Sequence, residues 1–150
     1  MRIAIIADTH NLLRPGVIRA ASCAELILHA GDICHPDILE TLQNIAPLHT
    51  VRGNNDRGAW ADALPTSLSL TLEGIHFLMV HDLKGGHTLP TSSPAVVISG
   101  HSHKLQLQKN QDLWFLNPGA AGPRRFKLPA SMAIVEIAQG QPHFHFLHLD

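Results

Sequence analysis

Ile3-Ala4-Ile5-Ile6-Ala7-Asp8-Thr9-His10 holds five apolar residues in a row and then turns abruptly polar. A continuous apolar run this short predicts a strand buried on both faces. The same arrangement recurs downstream. Pro15-Gly16 opens a segment of helical periodicity through Ser22, and Leu26-Ile27-Leu28-His29-Ala30 is a second apolar run, ending at Gly31-Asp32. A second helix is predicted from Pro36 to Asn44, with Pro36 in its first turn. Leu48 to Val51 gives a third strand, ending at Gly53-Asn54. Strand, helix, strand, helix, strand implies parallel pairing through right-handed crossovers.

From Ser67 the pattern changes. Ser67 to Leu72 alternates polar and apolar, Glu73-Gly74 makes a turn, and Ile75 to Val80 is the return strand of a hairpin. Val96 to Ser99, Leu105 to Gln108, Leu113 to Leu116, Met132 to Ile137 and His143 to Leu149 are further strands. The second half is therefore mostly β, and Asp82 to Pro94 is its longest irregular segment.

The 150 residues suit one domain, 1–150, large enough to bury a core without disulfides. An apolar fraction of 45% against 15% charged residues argues for a packed globular protein and against disorder. The net charge of −1 selects no polyanionic partner, Tyr is absent, and no Lys/Arg stripe interleaves with aromatics, so no stable nucleic-acid partner is expected. Cys23 and Cys34 show no Cys-x-x-Cys spacing, which argues against a disulfide framework. The N-terminal apolar run is too short for a secretory signal and no segment has the length of a membrane span, so a cytoplasmic setting is expected and no membrane association. The sequence leaves the oligomeric state open.

Histidine is over-used: 12 copies against 11 Lys plus Arg. Five polar motifs follow strands directly: Asp8-Thr9-His10, Gly31-Asp32, Gly53-Asn54-Asn55-Asp56, His81-Asp82 and Gly100-His101-Ser102-His103. In α/β sheets, strand ends gather functional groups into a shared crevice. Carboxylate, imidazole and amide donors together suit Mn²⁺, Fe, Zn²⁺, Co²⁺ or Ni²⁺ better than Ca²⁺ or Mg²⁺. Each motif alone is also an ordinary turn. His29 is expected as a hydrogen-bonded interior residue, and His35, His49, His76 and His87 as surface or loop residues. His143, His145 and His148 are expected to face solvent from a half-buried strand.

These five motifs, in this order, resemble those of the calcineurin-like metallophosphoesterase superfamily, in particular its small single-domain phosphodiesterase branch. Asn117-Pro118-Gly119 with Pro123-Arg124 resembles a further motif of that branch. The resemblance implies an α/β (α+β by some schemes) four-layer αββα sandwich, in which two mixed β-sheets pack together with helices outside. It implies two divalent ions, Mn²⁺ first among the metals above. Asp8, His10 and His103 would hold one, Asn54, His81 and His101 the other, and Asp32 would bridge them. It further implies hydrolysis of a small phosphoester, a phosphodiester first, by in-line attack of a hydroxide shared by both ions. His10 would have a second role, orienting phosphate or donating a proton. Asp56 would orient its neighbours, and Asn117 and Arg124 would contact substrate.

Two departures bear on chemistry. Many members carry His after Gly-Asn, where this chain has Asn55, which can donate a hydrogen bond but not a proton. Esters with good leaving groups, such as aryl diesters, are therefore the expected substrates. Asp82-Leu83 stands where Gly is common. The alternative is a protein-interaction scaffold of the same fold, as in relatives that have lost metal ligands; here all seven ligand positions keep competent residues.

Overall fold

The computed structural model describes all 150 residues. Strand β1 (Arg2–Ile6) leads to helix α1 (Pro15–Ala21), β2 (Leu26–His29), α2 (Pro36–Gln43) and β3 (Leu48–Thr50). Pro15 and Pro36 stand in the first turn of their helices, where a fixed φ helps and the missing N–H costs nothing. His35 caps α2 by accepting from the Asp37 amide. One turn of helix, α3 (Ala59–Asp62), then precedes the β-rich half.

That half contains β4 (Ser67–Leu72), β5 (Ile75–Val80), β6 (Ala95–Ile98), β7 (Leu105–Asn110), β8 (Leu113–Pro118), β9 (Ala130–Ala138) and β10 (Gln141–Leu149). Glu73 and Gly74 both take positive φ, 47° and 84°, which closes the β4–β5 hairpin. Two five-stranded sheets result, ordered β10-β9-β1-β2-β3 and β4-β5-β6-β8-β7. In the first, β1, β2 and β3 are parallel, as the alternating pattern implies, while β9 returns antiparallel to β1. In the second, β5, β6 and β8 are parallel and hairpin partners form both edges.

The period of two along each strand sorts the core. Ile3, Ile5, Leu28, Ala133 and Val135 from the first sheet meet Phe77, Met79, Val96, Ile98 and Leu116 from the second, all buried. The opposite face of the first sheet, with Ala4, Ile6, Ile27 and Met132, is covered by Val17 and Ala21 of α1 and Ile38 and Leu42 of α2. The sandwich is the one implied by the family resemblance, with a thin fourth layer. Outside the second sheet there is no α-helix; a 3₁₀ turn at Leu83–Gly85 is the one helical element of the connection between β5 and β6. No helix is long and apolar enough to cross a membrane.

His143, His145 and His148 are exposed on edge strand β10. Phe144 and Phe146 of that strand pack against the core between the sheets.

Candidate metal centre

The ends of β1, β2, β5 and β6 open on one rim, and backbone hydrogen bonds knit their loops together. Asp8 N donates to Gly31 O, His10 N to Asp32 O, Gly100 N to His81 O, and Ala121 N to Ala7 O, at 2.9–3.0 Å. Asp8, His10, Asp32, His101 and His103 all have positive φ, between 43° and 71°. That region is sparsely populated by residues other than Gly, although Asn, Asp and His enter it most readily. The reversed backbone is how ligands one residue apart, Asp8/His10 and His101/His103, aim at one place. Two glycines permit the close approach: a Cβ on Gly31 would lie 2.8 Å from His81 Nδ1, and one on Gly53 would overlap the Asp32 amide.

Two neighbouring clusters result. In one, His10 Nε2 and His103 Nε2 are 3.3 Å apart and lie 3.8 and 3.6 Å from Asp8 Oδ1. In the other, His81 Nε2 is 2.9 Å from Asn54 Oδ1, and His101 Nδ1 is 3.2 Å from the same oxygen. Asp32 Oδ2 stands between them, 3.6 Å from His10 Nε2 and 3.4 Å from His81 Nε2. All seven predicted ligand residues are thus gathered at one site.

The electrostatics show what the cluster lacks. Burial pushes the Asp8 carboxyl up to about 7, and the nearby Asp32 charge adds to this, against the pull of His81. Burial would raise Asp32 too, but hydrogen bonds from His81 and Asn55 hold it well below the usual carboxylate range. Burial lowers His103 to about 4, with the neighbouring His10 pushing the same way, and it also lowers His10. Burial would lower His81, yet its hydrogen bond and ion pair with Asp32 raise it. Asp8 Oδ1 and His103 Nδ1 are buried without a hydrogen-bond partner. With His81 Nδ1 donating to Ala30 O, its Nε2 faces only the oxygens of Asn54 and Asp32. Lone pairs converging from carboxylate, imidazole and amide, one of them orphaned, are satisfied by divalent cations.

Asp56 has a purely positioning place. It is fully buried, and its two oxygens accept from the amides of Asp32, Ile33, Cys34 and Gly53 at 2.8–3.0 Å. No acceptor direction remains for substrate, and the carboxylate holds the backbone around Asp32 and Gly53 in place. Asn55 is also turned inward: its backbone amide and Nδ2 both donate to Asp32. His29 is an interior residue, with Nε2 3.0 Å from Thr9 Oγ1 and Nδ1 accepting from Gly31 N. Asp82 caps the 3₁₀ turn and lies 3.7 Å from His101 Nε2.

The two residues expected to contact substrate lie near the same rim. Asn117 is buried; its Nδ2 donates to Gly100 O and Ser102 Oγ, and its Oδ1 accepts from Gly119 N. It shapes the loop that carries His101 and His103. Arg124 and Arg125 are both exposed, and the charge that acts on Asp8, His10 and His103 is that of Arg125. Cys34 also escaped the sequence reading: its Sγ lies 3.5 Å from His10 Nδ1.

The sequence model of the calcineurin-like phosphoesterase superfamily domain matches residues 1–140. The chain belongs to that superfamily. A protein named probable metallophosphoesterase from Methanothermobacter thermautotrophicus is 32% identical, over 89% of this chain and 85% of that protein. A phosphodiesterase from Methanocaldococcus jannaschii is 25% identical, over 79% of this chain and 83% of its own length. Among solved structures, an archaeal phosphodiesterase superposes with a TM-score of 0.77 at 21% identity, covering 99% of this chain and all of that one. Zn²⁺-complexed Vps29 from Entamoeba histolytica superposes with a TM-score of 0.74 at 18% identity, each chain fully covered. The structural likenesses establish the fold; the superfamily supplies the chemistry, phosphoester hydrolysis with divalent metals, for which these residues offer a fitting donor set.

Proposed function

We propose that residues 1–150 act as one unit, a phosphodiesterase that hydrolyses small phosphodiesters with two divalent cations, Mn²⁺ first. Asp8, His10 and His103 would hold one cation and Asn54, His81 and His101 the other, with Asp32 shared. When bound, such a pair neutralises charge on the phosphoryl oxygens and lowers the pKa of water toward neutrality. The chain's own residues do the rest. Asn55 fixes both Asp32 oxygens, and Asp56 fixes the backbone on either side of them. His10, its Nε2 facing the shared carboxylate, stands where it can orient phosphate. No side chain able to donate a proton occupies position 55, which favours substrates whose leaving group departs as a stable anion, such as aryl diesters.

The observation that carries this reading is the fully buried, unpartnered Asp8 Oδ1 between two imidazoles, beside a third imidazole, His81, whose Nε2 faces only oxygens. A scaffold role, suggested by the likeness to Vps29, has no lost ligand here to favour it. The test is a matrix of metals against aryl and alkyl phosphomonoesters and diesters, with Asp32→Asn as control. Turnover of diesters that requires added metal and collapses in the variant is expected. Wild-type turnover in Asp32→Asn, or none with any metal, would refute the proposal.

A further inference from the structure

Phe126 is 90% exposed, the most solvent-exposed large apolar side chain in the molecule, and its φ is +57°. It sits in Pro123-Arg124-Arg125-Phe126-Lys127, a run with three exposed cations and no carboxylate. The base of this loop is fixed on the metal-cluster rim. Gly122 N donates to Asp8 O, Arg14 Nε donates to Gly122 O, and Gly122 lies so close to the Thr9 carbonyl that a Cβ would overlap it. Four residues span at most about 14 Å, which bounds how far the Phe126 backbone stands from Gly122. Arg125, exposed and one residue before Phe126, belongs to the same tethered loop, three positions after Gly122.

A bare aromatic face beside cations, tethered at a phosphoester site, matches one ligand chemistry: a planar base joined to a phosphate. We propose that Phe126 is a stacking platform and Arg125 a phosphate anchor, which together make the substrate class nucleoside phosphodiesters of mono- or dinucleotide size. This deepens the phosphodiesterase reading and rests on it. A polymer is disfavoured because the cations are confined to one short loop of a chain whose net charge is −1.

The experiment compares thymidine 5′-(p-nitrophenyl phosphate) with ethyl p-nitrophenyl phosphate, which share leaving group and diester chemistry and differ in the nucleoside; Phe126→Ala isolates the share owed to stacking on the base. The wild type is expected to favour the nucleoside ester in kcat/KM by about 10-fold or more, the scale of one base–aromatic stack. Phe126→Ala should bring that ratio close to one, and Phe126→Trp should keep it; Arg125→Gln should raise KM for both esters several-fold. A wild-type ratio near one that Phe126→Ala leaves unmoved overturns the inference while the phosphodiesterase reading survives. Binding is read separately from Phe126→Trp fluorescence. Quenching by thymidine 5′-monophosphate but not by ethyl phosphate supports the platform even if neither ester turns over, in which case only the phosphodiesterase reading fails. No quenching by the nucleotide, or quenching only by anionic phospholipid vesicles, overturns it.

Discussion

Asn55 closes on Asp32 with two hydrogen bonds of 2.9 Å, backbone amide to Oδ1 and side-chain amide to Oδ2. The residue that occupies the usual proton-donor position of the superfamily is here a clamp on the carboxylate proposed to be shared by both cations. Asn55→Ala should therefore lower metal affinity by about 10- to 100-fold, as loss of a group that orients a ligand does. Titration of metal-stripped protein with Mn²⁺ checks this; unchanged affinity would mean that the clamp is incidental.

Asn55→His tests the leaving-group argument from the other side. An imidazole can give up a proton, so the ratio of alkyl to aryl diester turnover should rise by on the order of 10-fold or more. Parallel rate measurements on the two ester classes decide it, and a ratio that does not move would count against a missing acid.

Asp56 should behave as a folding residue. Its carboxylate accepts four backbone amides at full burial, and Asp56→Ala leaves those donors without a partner. A loss of roughly 3 kcal/mol or more is expected from urea unfolding of the metal-free protein. A loss below about 1 kcal/mol would show that water replaces the carboxylate easily.

Cation uptake should release protons. In the metal-free fold the Asp8 carboxyl titrates at about 7 because it is buried, well above its ordinary 3.8. Between those values the native state holds a proton that the unfolded chain has given up, so metal-free stability falls as pH rises from about 4 to about 7. A metal displaces that proton. Calorimetry of Mn²⁺ binding at pH 6 in buffers of different ionisation enthalpy should report about one proton released through Asp8, and fewer at pH 8.

His29 acts in the opposite sense. Burial lowers it to about 3, so the folded protein excludes a proton that the unfolded chain binds below about 6.5. Its contribution is intact above that pH and drains away down to about 3, with a slope of up to about 1.4 kcal/mol per pH unit. His29→Gln should flatten the acid limb of the stability curve, and an unchanged limb would assign acid unfolding elsewhere.

Most of the architecture was readable because it is encoded locally. The apolar runs Ile3–Ala7 and Leu26–Ala30 announce β1 and β2, Pro15 and Pro36 mark helix starts, and Glu73-Gly74 marks a hairpin. The order of strands in a sheet is not local: the placement of β9 against β1 depends on Arg2 to Ile5 meeting Ala133 to Glu136, residues more than a hundred positions away. A single helical turn such as Ala59–Asp62 has no room to display a period. At the centre, the gathering of carboxylate, imidazole and amide side chains was legible because their chemistry is rare in combination. Asn117 and the Arg124/Arg125 pair were harder to read for the reverse reason: an amide or a guanidinium in a loop has many uses, and only the backbone path decides which way it turns.

The four donors that follow β1, β2 and β3 belong to one sheet and the three that follow β5 and β6 to the other. Ions seated among them would rivet two slabs whose shared interior is otherwise mostly apolar. Stripping the ions should let the mouth of the sandwich breathe first, so amide protection ought to fade around Gly31, Gly53 and Gly100 while the middle of β1 and β6 stays shut.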